Sequence, residues 1–207
     1  MPRALLLADG PSDEPLGLHV ARLAARHDCE LDVVAPDLRR LASPPGRRVV
    51  DRLRAVFDFD DGFDLVIVHR DAENQSPQTR REEVSAAIKE VREGLPVLPV
   101  IPVRMTDAWL LVDEAAIRRI AGRPSGTGPL GLPAVGQVEQ VPDAKAMLQD
   151  ALAKASGASG RRLRRFKRDF GGQRRRLLEA LDHAGPIAQL TAWKELVQDV
   201  EHTIGAL

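Results

Sequence analysis

Short apolar runs alternate with amphipathic stretches through the first half of the chain. The run from Arg3 to Asp9 reads as a buried strand that stops at a turn, Asp9-Gly10-Pro11. Ser12 is placed to cap a following helix, with Asp13 and Glu14 in its first turn. Leu16, Leu18, Val20, Leu23 and Ala24 give that helix an apolar face to about His27. Glu30 to Val34 reads as a second strand, and Arg47 to Phe57 as a helix after the Ser43-Pro44-Pro45-Gly46 loop. Asp64 to His69 is the clearest strand, because Leu65 to Val68 are apolar without interruption and suit a strand covered on both faces. Pro77 to Glu93 is a charged amphipathic helix stopped by Gly94. Leu95 to Val103 is apolar again, but Pro96, Pro99 and Pro102 push it to a sheet edge. Thr106 is the expected cap of a helix reaching about Ile120.

Strand and helix in alternation predict an α/β fold, a mostly parallel Rossmann-like sheet with helices on both faces and right-handed crossovers. This α/β domain is expected to span residues 1–122. A Gly/Pro-rich loop over 123–141 follows, read as a mobile flap because it lacks the Lys-Ser/Thr ending of a phosphate-cradling loop. Residues 142–207 read as a helical C-terminal region packed on the same domain. Breaks are expected at Ser156 to Gly160 and at Gly171-Gly172.

Composition narrows the chemistry. The 207 residues carry 30 basic and 30 acidic side chains, so overall charge selects no partner. A single cysteine, Cys29, excludes an internal disulfide and a thiolate zinc site of the usual kind. There is no tyrosine, which rules out a tyrosyl–DNA intermediate in this chain. No apolar run approaches the roughly 18 residues of a membrane span, and the N-terminal run is too short for a signal peptide. The expectation is a cytoplasmic protein with no membrane partner.

Three acidic positions fall at predicted strand ends: Asp9 after the first strand, Asp71 and Glu73 after the central one. Residues i and i+2 of an extended segment point the same way, so Asp71 and Glu73 are expected to share one volume. Ligand sites of parallel α/β sheets lie outside the carboxyl ends of the strands. Hard oxygen ligands there suit Mg²⁺ or Mn²⁺, which take one or two carboxylates beside water and substrate phosphate. Each position also has a plainer reading. Asp9 could brace its turn, Asp71 and Glu73 could be a solvated loop, and His69 could be a satisfied core histidine. Arg70, Arg80, Arg81 and Arg104 could hold phosphates bidentately or serve as ion-pair partners.

Leu7-Ala8-Asp9-Gly10-Pro11-Ser12-Asp13 and Val66-Ile67-Val68-His69-Arg70-Asp71-Ala72-Glu73 resemble the two motifs of the Toprim domain. The wider pattern is similar to a bacterial Toprim-like family, domain of unknown function 4276. That family's Glu-Ala-Trp-Leu-Leu-Ala-Asp stretch is matched here by Asp107-Ala108-Trp109-Leu110-Leu111-Val112-Asp113. The resemblance implies a Mg²⁺-dependent phosphotransfer site, most naturally nucleic-acid phosphodiester hydrolysis. Asp71, Glu73 and Asp107 would hold the metal, and Asp9 would act as catalytic acid/base. Two departures stand out: Asp9 replaces the Toprim Glu, and Glu73 replaces the second Asp of an Asp-x-Asp pair. They keep open an alternative, a non-catalytic Toprim-like module that binds nucleic acid or a protein partner. A receiver-like switch ranks last, because no lysine follows the Leu95 to Val103 strand.

The last feature is a basic run. Arg161, Arg162, Arg164, Arg165, Lys167 and Arg168 precede Arg174, Arg175 and Arg176, nine basic residues in sixteen positions. Such a run can bind DNA or RNA phosphates. It can equally be a helix face paired with acidic residues elsewhere. Leu163, Phe166 and Phe170, at helical spacing, are its expected inward stripe.

Overall fold

The computed structural model describes residues 1–207. They divide into two compact units, residues 1–101 with 195–207, and residues 102–194. The boundary therefore falls at Ile101-Pro102, not near residue 122, and the last turns of the chain return to the first unit.

The first unit is built on four parallel strands: β1 (Arg3–Leu7), β2 (Asp32–Val34), β3 (Leu65–His69) and β4 (Val97–Val100), in the order β2-β1-β3-β4. Helix α1 (Pro15–Ala24) links β1 to β2, α2 (Val49–Phe57) links β2 to β3, and α3 (Pro77–Arg92) links β3 to β4. Every residue of β3 is buried, as its uninterrupted apolar run requires. The proline-bearing β4 pairs only with β3, so the missing N–H of Pro99 falls on an edge.

Alternation along each strand sends side chains to two faces. Leu5, Leu7, Val66 and Val68 enter one core with Val50, Leu53 and Val56 of α2 and Val84 and Ile88 of α3. Leu6 and Val33 meet α1 on the opposite face, at Gly17. A Cβ on Gly17 would lie 2.8 Å from Val33 Cγ1 and 3.1 Å from Leu6 Cδ2, closer than packed carbons approach. Gly17→Val is expected to destabilise the fold by about 1–3 kcal/mol through overpacking, read as a lower midpoint in urea unfolding. An unchanged midpoint would mean that α1 can lift off the sheet freely.

Arg81 of α3 is clamped within this unit by residues of α8 (Thr191–Ile204). Its guanidinium lies 2.5 Å from Asp199 and 3.1 Å from Glu195. Burial lowers the Arg81 pKa, but the bonds to Asp199 and Glu195 outweigh it and raise the value. Arg81 is thus a structural ion-pair partner.

The second unit is helical: α4 (Glu114–Ile120), α5 (Ala144–Ser156), α6 (Gly160–Arg168), α7 (Phe170–Glu179) and the start of α8, with 3-10 turns at Thr106–Leu111 and Val135–Gln140. Trp109 and Trp193 anchor its core edge to face, ring centroids 5.4 Å apart. The expected helix from Thr106 to Ile120 is broken in two. Thr106 is fully buried within the 3-10 turn, and Asp113 starts α4 by accepting from the Ala116 N–H at 2.9 Å. The Gly/Pro-rich stretch is pinned rather than free: Arg118 donates to the Gly128 carbonyl at 2.6 Å and Leu130 is buried. The second predicted break moves to Asp169, and Gly171-Gly172 enter the first turn of α7. A Cβ on Gly172 would lie 2.6 Å from Asp169 Oδ1, so a larger residue there would displace the Asp169 carboxylate.

Candidate functional site

The strand order reverses between β1 and β3. The chain leaves β1 for β2 on one side, then crosses back to β3 on the other. Loops at the carboxyl ends of these two strands diverge and open a crevice, the usual ligand position in such sheets. A pocket of about 560 Å³ lies there, lined by Asp9, Arg52, Arg70, Asp71, Glu73 and Arg80 among others, all of the first unit.

Three of the expected site residues, Asp9, Asp71 and Glu73, therefore share one pocket. The reason differs from the one anticipated for Glu73. β3 ends at His69, and Glu73 sits in the left-handed region at φ 54, so the spacing argument for an extended segment does not apply. Its side chain lines the pocket because the loop turns there. Left-handed backbone at a residue other than glycine costs of order 1 kcal/mol and clusters at functional sites.

An alternating chain of charges crosses the pocket. Arg52 Nη1 lies 3.8 Å from Asp9 Oδ1, and Arg70 Nη1 donates to the same oxygen at 3.1 Å. Arg70 Nη2 then lies 3.7 Å from Glu83, which takes Arg80 Nη1 at 2.7 Å. Arg80 Nη2 ends the chain 3.6 Å from Glu73. Plus and minus alternate through Arg52, Asp9, Arg70, Glu83, Arg80 and Glu73, three of each. Asp9 Oδ2 and Glu73 Oε1 take no protein donor.

His69 holds the two strand ends together. It is fully buried, with Nε2 3.3 Å from Asp71 Oδ1 and Nδ1 3.5 Å from the N–H of Asp9. Burial disfavours its charged form, but Asp71, and then Asp13 and Asp9, outweigh this and hold its pKa above the ordinary value. The bond from Asp9 is long and weak, so the pairing with Asp71 decides. His69 is thus a buried, satisfied histidine that fixes the orientation of Asp71.

No family model, curated protein or solved structure matches this chain. The reading of the site rests on its own residues.

No three Asp, Glu, His or Cys side chains stand as a ready-made ligand set. Mg²⁺ asks for less, one or two carboxylates completed by water and substrate phosphate. Asp71 and Glu73 are carboxylates that line the pocket.

Asp107 does not belong to this pocket's lining. It lies in the second unit, buried, with both carboxylate oxygens 3.2 Å from Nε of the buried Arg174. This buried ion pair ties the 3-10 turn at Thr106–Leu111 to α7. Arg104 also lies in the second unit. Of the four arginines considered as phosphate holders, Arg70 and Arg80 line the pocket.

Sequence reasoning missed Arg52 and Asp13. Arg52 comes from α2, donates through Nη2 to the Ala8 carbonyl at 2.5 Å, and is largely buried. Burial lowers its pKa; Asp9 offsets this and Arg70 adds to it, yet an arginine stays cationic. Its only signal in the sequence was a charge on a short amphipathic helix. Asp13 is buried rather than solvated in a helical first turn, and it acts on His69 by its charge.

The basic run forms α6. Arg161, Arg162, Arg164, Arg165, Lys167 and Arg168 are all exposed, while Leu163 and Phe166 are half-buried. None of the six makes an ion pair, whereas Arg174, Arg175 and Arg176 pair with Asp107, Glu179 and Asp169. The reading of this face as internally paired therefore fails for α6 and holds for α7.

Proposed function

We propose that the pocket is a Mg²⁺-assisted phosphodiester hydrolysis site of Toprim-like character acting on nucleic acid. The observation that carries this reading is the neutral, alternating chain of arginines and carboxylates at the strand-order switch. Its arginines suit the negative charge of a phosphate diester, and its carboxylates, with Asp71 beside them, suit a divalent cation.

Arg52, Arg70 and Arg80 would bind and orient the phosphate, which guanidinium forks suit by their planar donors. Asp71, oriented by His69, and Glu73 would hold Mg²⁺. Bound there, the ion supplies Lewis-acid stabilisation of charge on the phosphoryl oxygens. Asp9 is the acid/base: its unpartnered Oδ2 accepts the proton of the attacking water. The unpaired cations of α6 would grip the nucleic-acid backbone without sequence preference.

A non-catalytic module that binds nucleic acid or a protein partner is the second reading. What favours it is the engagement of Asp9 by two arginines, together with a side chain one methylene shorter than the Toprim Glu. Displacement of a catalytic group by about an ångström can cost about 10²-fold in rate.

A paired assay separates the two. With Mg²⁺ or Mn²⁺, on single- and double-stranded DNA and RNA, Asp71→Asn and Asp9→Asn are each expected to lower cleavage about 10²-fold or more. Their folds should be intact by circular dichroism. If Asp9→Glu instead raises the rate of a feeble wild type, the shorter arm has weakened the site. Wild type, Asp9→Asn and Asp9→Glu all inert on every substrate would sink hydrolysis and leave the module.

A further inference from the structure

We infer that Arg52 and Arg70 form a phosphate seat that works without metal, and that the Asp9 carboxylate fills this seat when no anion is bound. The inference rests on the reading that the pocket takes phosphate esters, and it names which groups receive them.

Two guanidiniums from different elements, α2 and the end of β3, converge on one oxygen, Asp9 Oδ1, at 3.8 Å and 3.1 Å. Both side chains are largely buried, each 17% exposed. Like charges this close, and this poorly solvated, repel unless an anion lies between them. Asp9 supplies a single negative charge for the pair, and the further help to Arg70 from Glu83 comes at 3.7 Å. A phosphate oxygen in the position of Asp9 Oδ1 would accept from Arg70, pair with Arg52 at ion-pair distance, and bring more charge with it.

The seat is also built in advance. Arg52 is fixed through Nη2 on the Ala8 carbonyl, so its Nη1 is held toward the seat rather than swinging in solvent. The N–H of Arg70 is bonded to the Val100 carbonyl at 3.1 Å, which holds its backbone on the edge strand. Little side-chain freedom remains to be lost on binding. Asp9 and the phosphate would compete for the same donors, so an anion entering the seat releases Asp9.

That competition gives a signature opposite in sign to loss of a ligand. Binding of inorganic pyrophosphate is measured by titration calorimetry in a chelator, so no metal takes part. Arg52→Gln and Arg70→Gln are each expected to weaken binding about tenfold, the worth of one charge-assisted hydrogen bond. Asp9→Asn is expected to tighten it, because the competing carboxylate is gone. Arg54→Gln, outside the pocket and paired with Glu90, should change nothing. Circular dichroism and melting check each fold. Should Arg52→Gln not fold, Arg52→Lys keeps the charge without the planar fork and should weaken binding by a smaller factor. The inference is overturned if Asp9→Asn binds no tighter than wild type, if the arginine variants bind as wild type does, or if neither wild type nor Asp9→Asn binds pyrophosphate. Cleavage assayed separately with Mg²⁺ distinguishes the two readings. The expected pyrophosphate pattern without any cleavage leaves the seat and removes hydrolysis; cleavage without the pattern does the reverse.

Discussion

Asp107→Ala is expected to cost the protein about 1.5–3 kcal/mol of stability, because it removes hydrogen bonds to a buried, charged guanidinium. Arg174 is buried beside Asp107, and its Nε lies 3.2 Å from both carboxylate oxygens. Removing the carboxylate takes these bonds from a guanidinium that cannot lose its proton. Replacing both partners with apolar residues, Asp107→Leu with Arg174→Met, should recover part of the loss, since neither charge of the pair then stays buried without the other. Urea unfolding of the two singles and the double gives the coupling directly. The family resemblance suggested instead that Asp107 holds metal. On that account the loss would appear in Mg²⁺ and shrink in a chelator. The ion pair requires the same loss in both, and a cost under about 1 kcal/mol in each would show that Arg174 reaches solvent.

The second large effect belongs to α6. Six exposed cations without acidic partners are expected to give nucleic-acid binding that weakens steeply with salt. Each phosphate neutralised on duplex DNA adds about 0.9 to the slope of log affinity against log salt. With all six engaged, affinity should fall roughly 10³-fold between about 50 and 200 mM salt. Changing Arg161, Arg164, Arg165 and Arg168 to Gln should lower the slope by roughly 3 to 4. Stability should hardly change, because exposed substitutions away from caps and ion pairs usually stay within about 0.5 kcal/mol. A wild type that binds no DNA or RNA at low salt would assign this face to a protein partner of acidic character. A slope unchanged in the quadruple variant would move the grip elsewhere on the protein.

The site was legible in the sequence to different depths. Asp9 and Asp71 could be found because strand ends are local features: an apolar run stops, and the residue after it lies at the rim of a parallel sheet. Glu73 reached the pocket by another route, a left-handed turn residue that no period-two argument contains. Arg52 was invisible, since its role depends on α2 lying over β1 and on a bond to Ala8 44 positions away. The pairing of Asp107 was out of reach for a related reason. Its short motif matched a family pattern, but its partner Arg174 sits 67 residues further on, and nothing local announces that pairing.

The sequence by itself determined the alternation of strand and helix, the fully covered central strand, the edge position of the proline-rich strand and the acidic strand ends. These follow from side-chain periodicity and from the donor that proline lacks, both properties of a few neighbouring residues. Tertiary structure decided the division of the chain at Ile101-Pro102, the pairing of each carboxylate and the charge state of the pocket. It also decided which arginines are spent: Arg81 on α8, Arg174 on Asp107, Arg52 and Arg70 on Asp9. The physical reason is distance in space. An arginine carries the same charge wherever it stands in a sequence, and what it can do is set by the anion that the fold brings within about 4 Å of it.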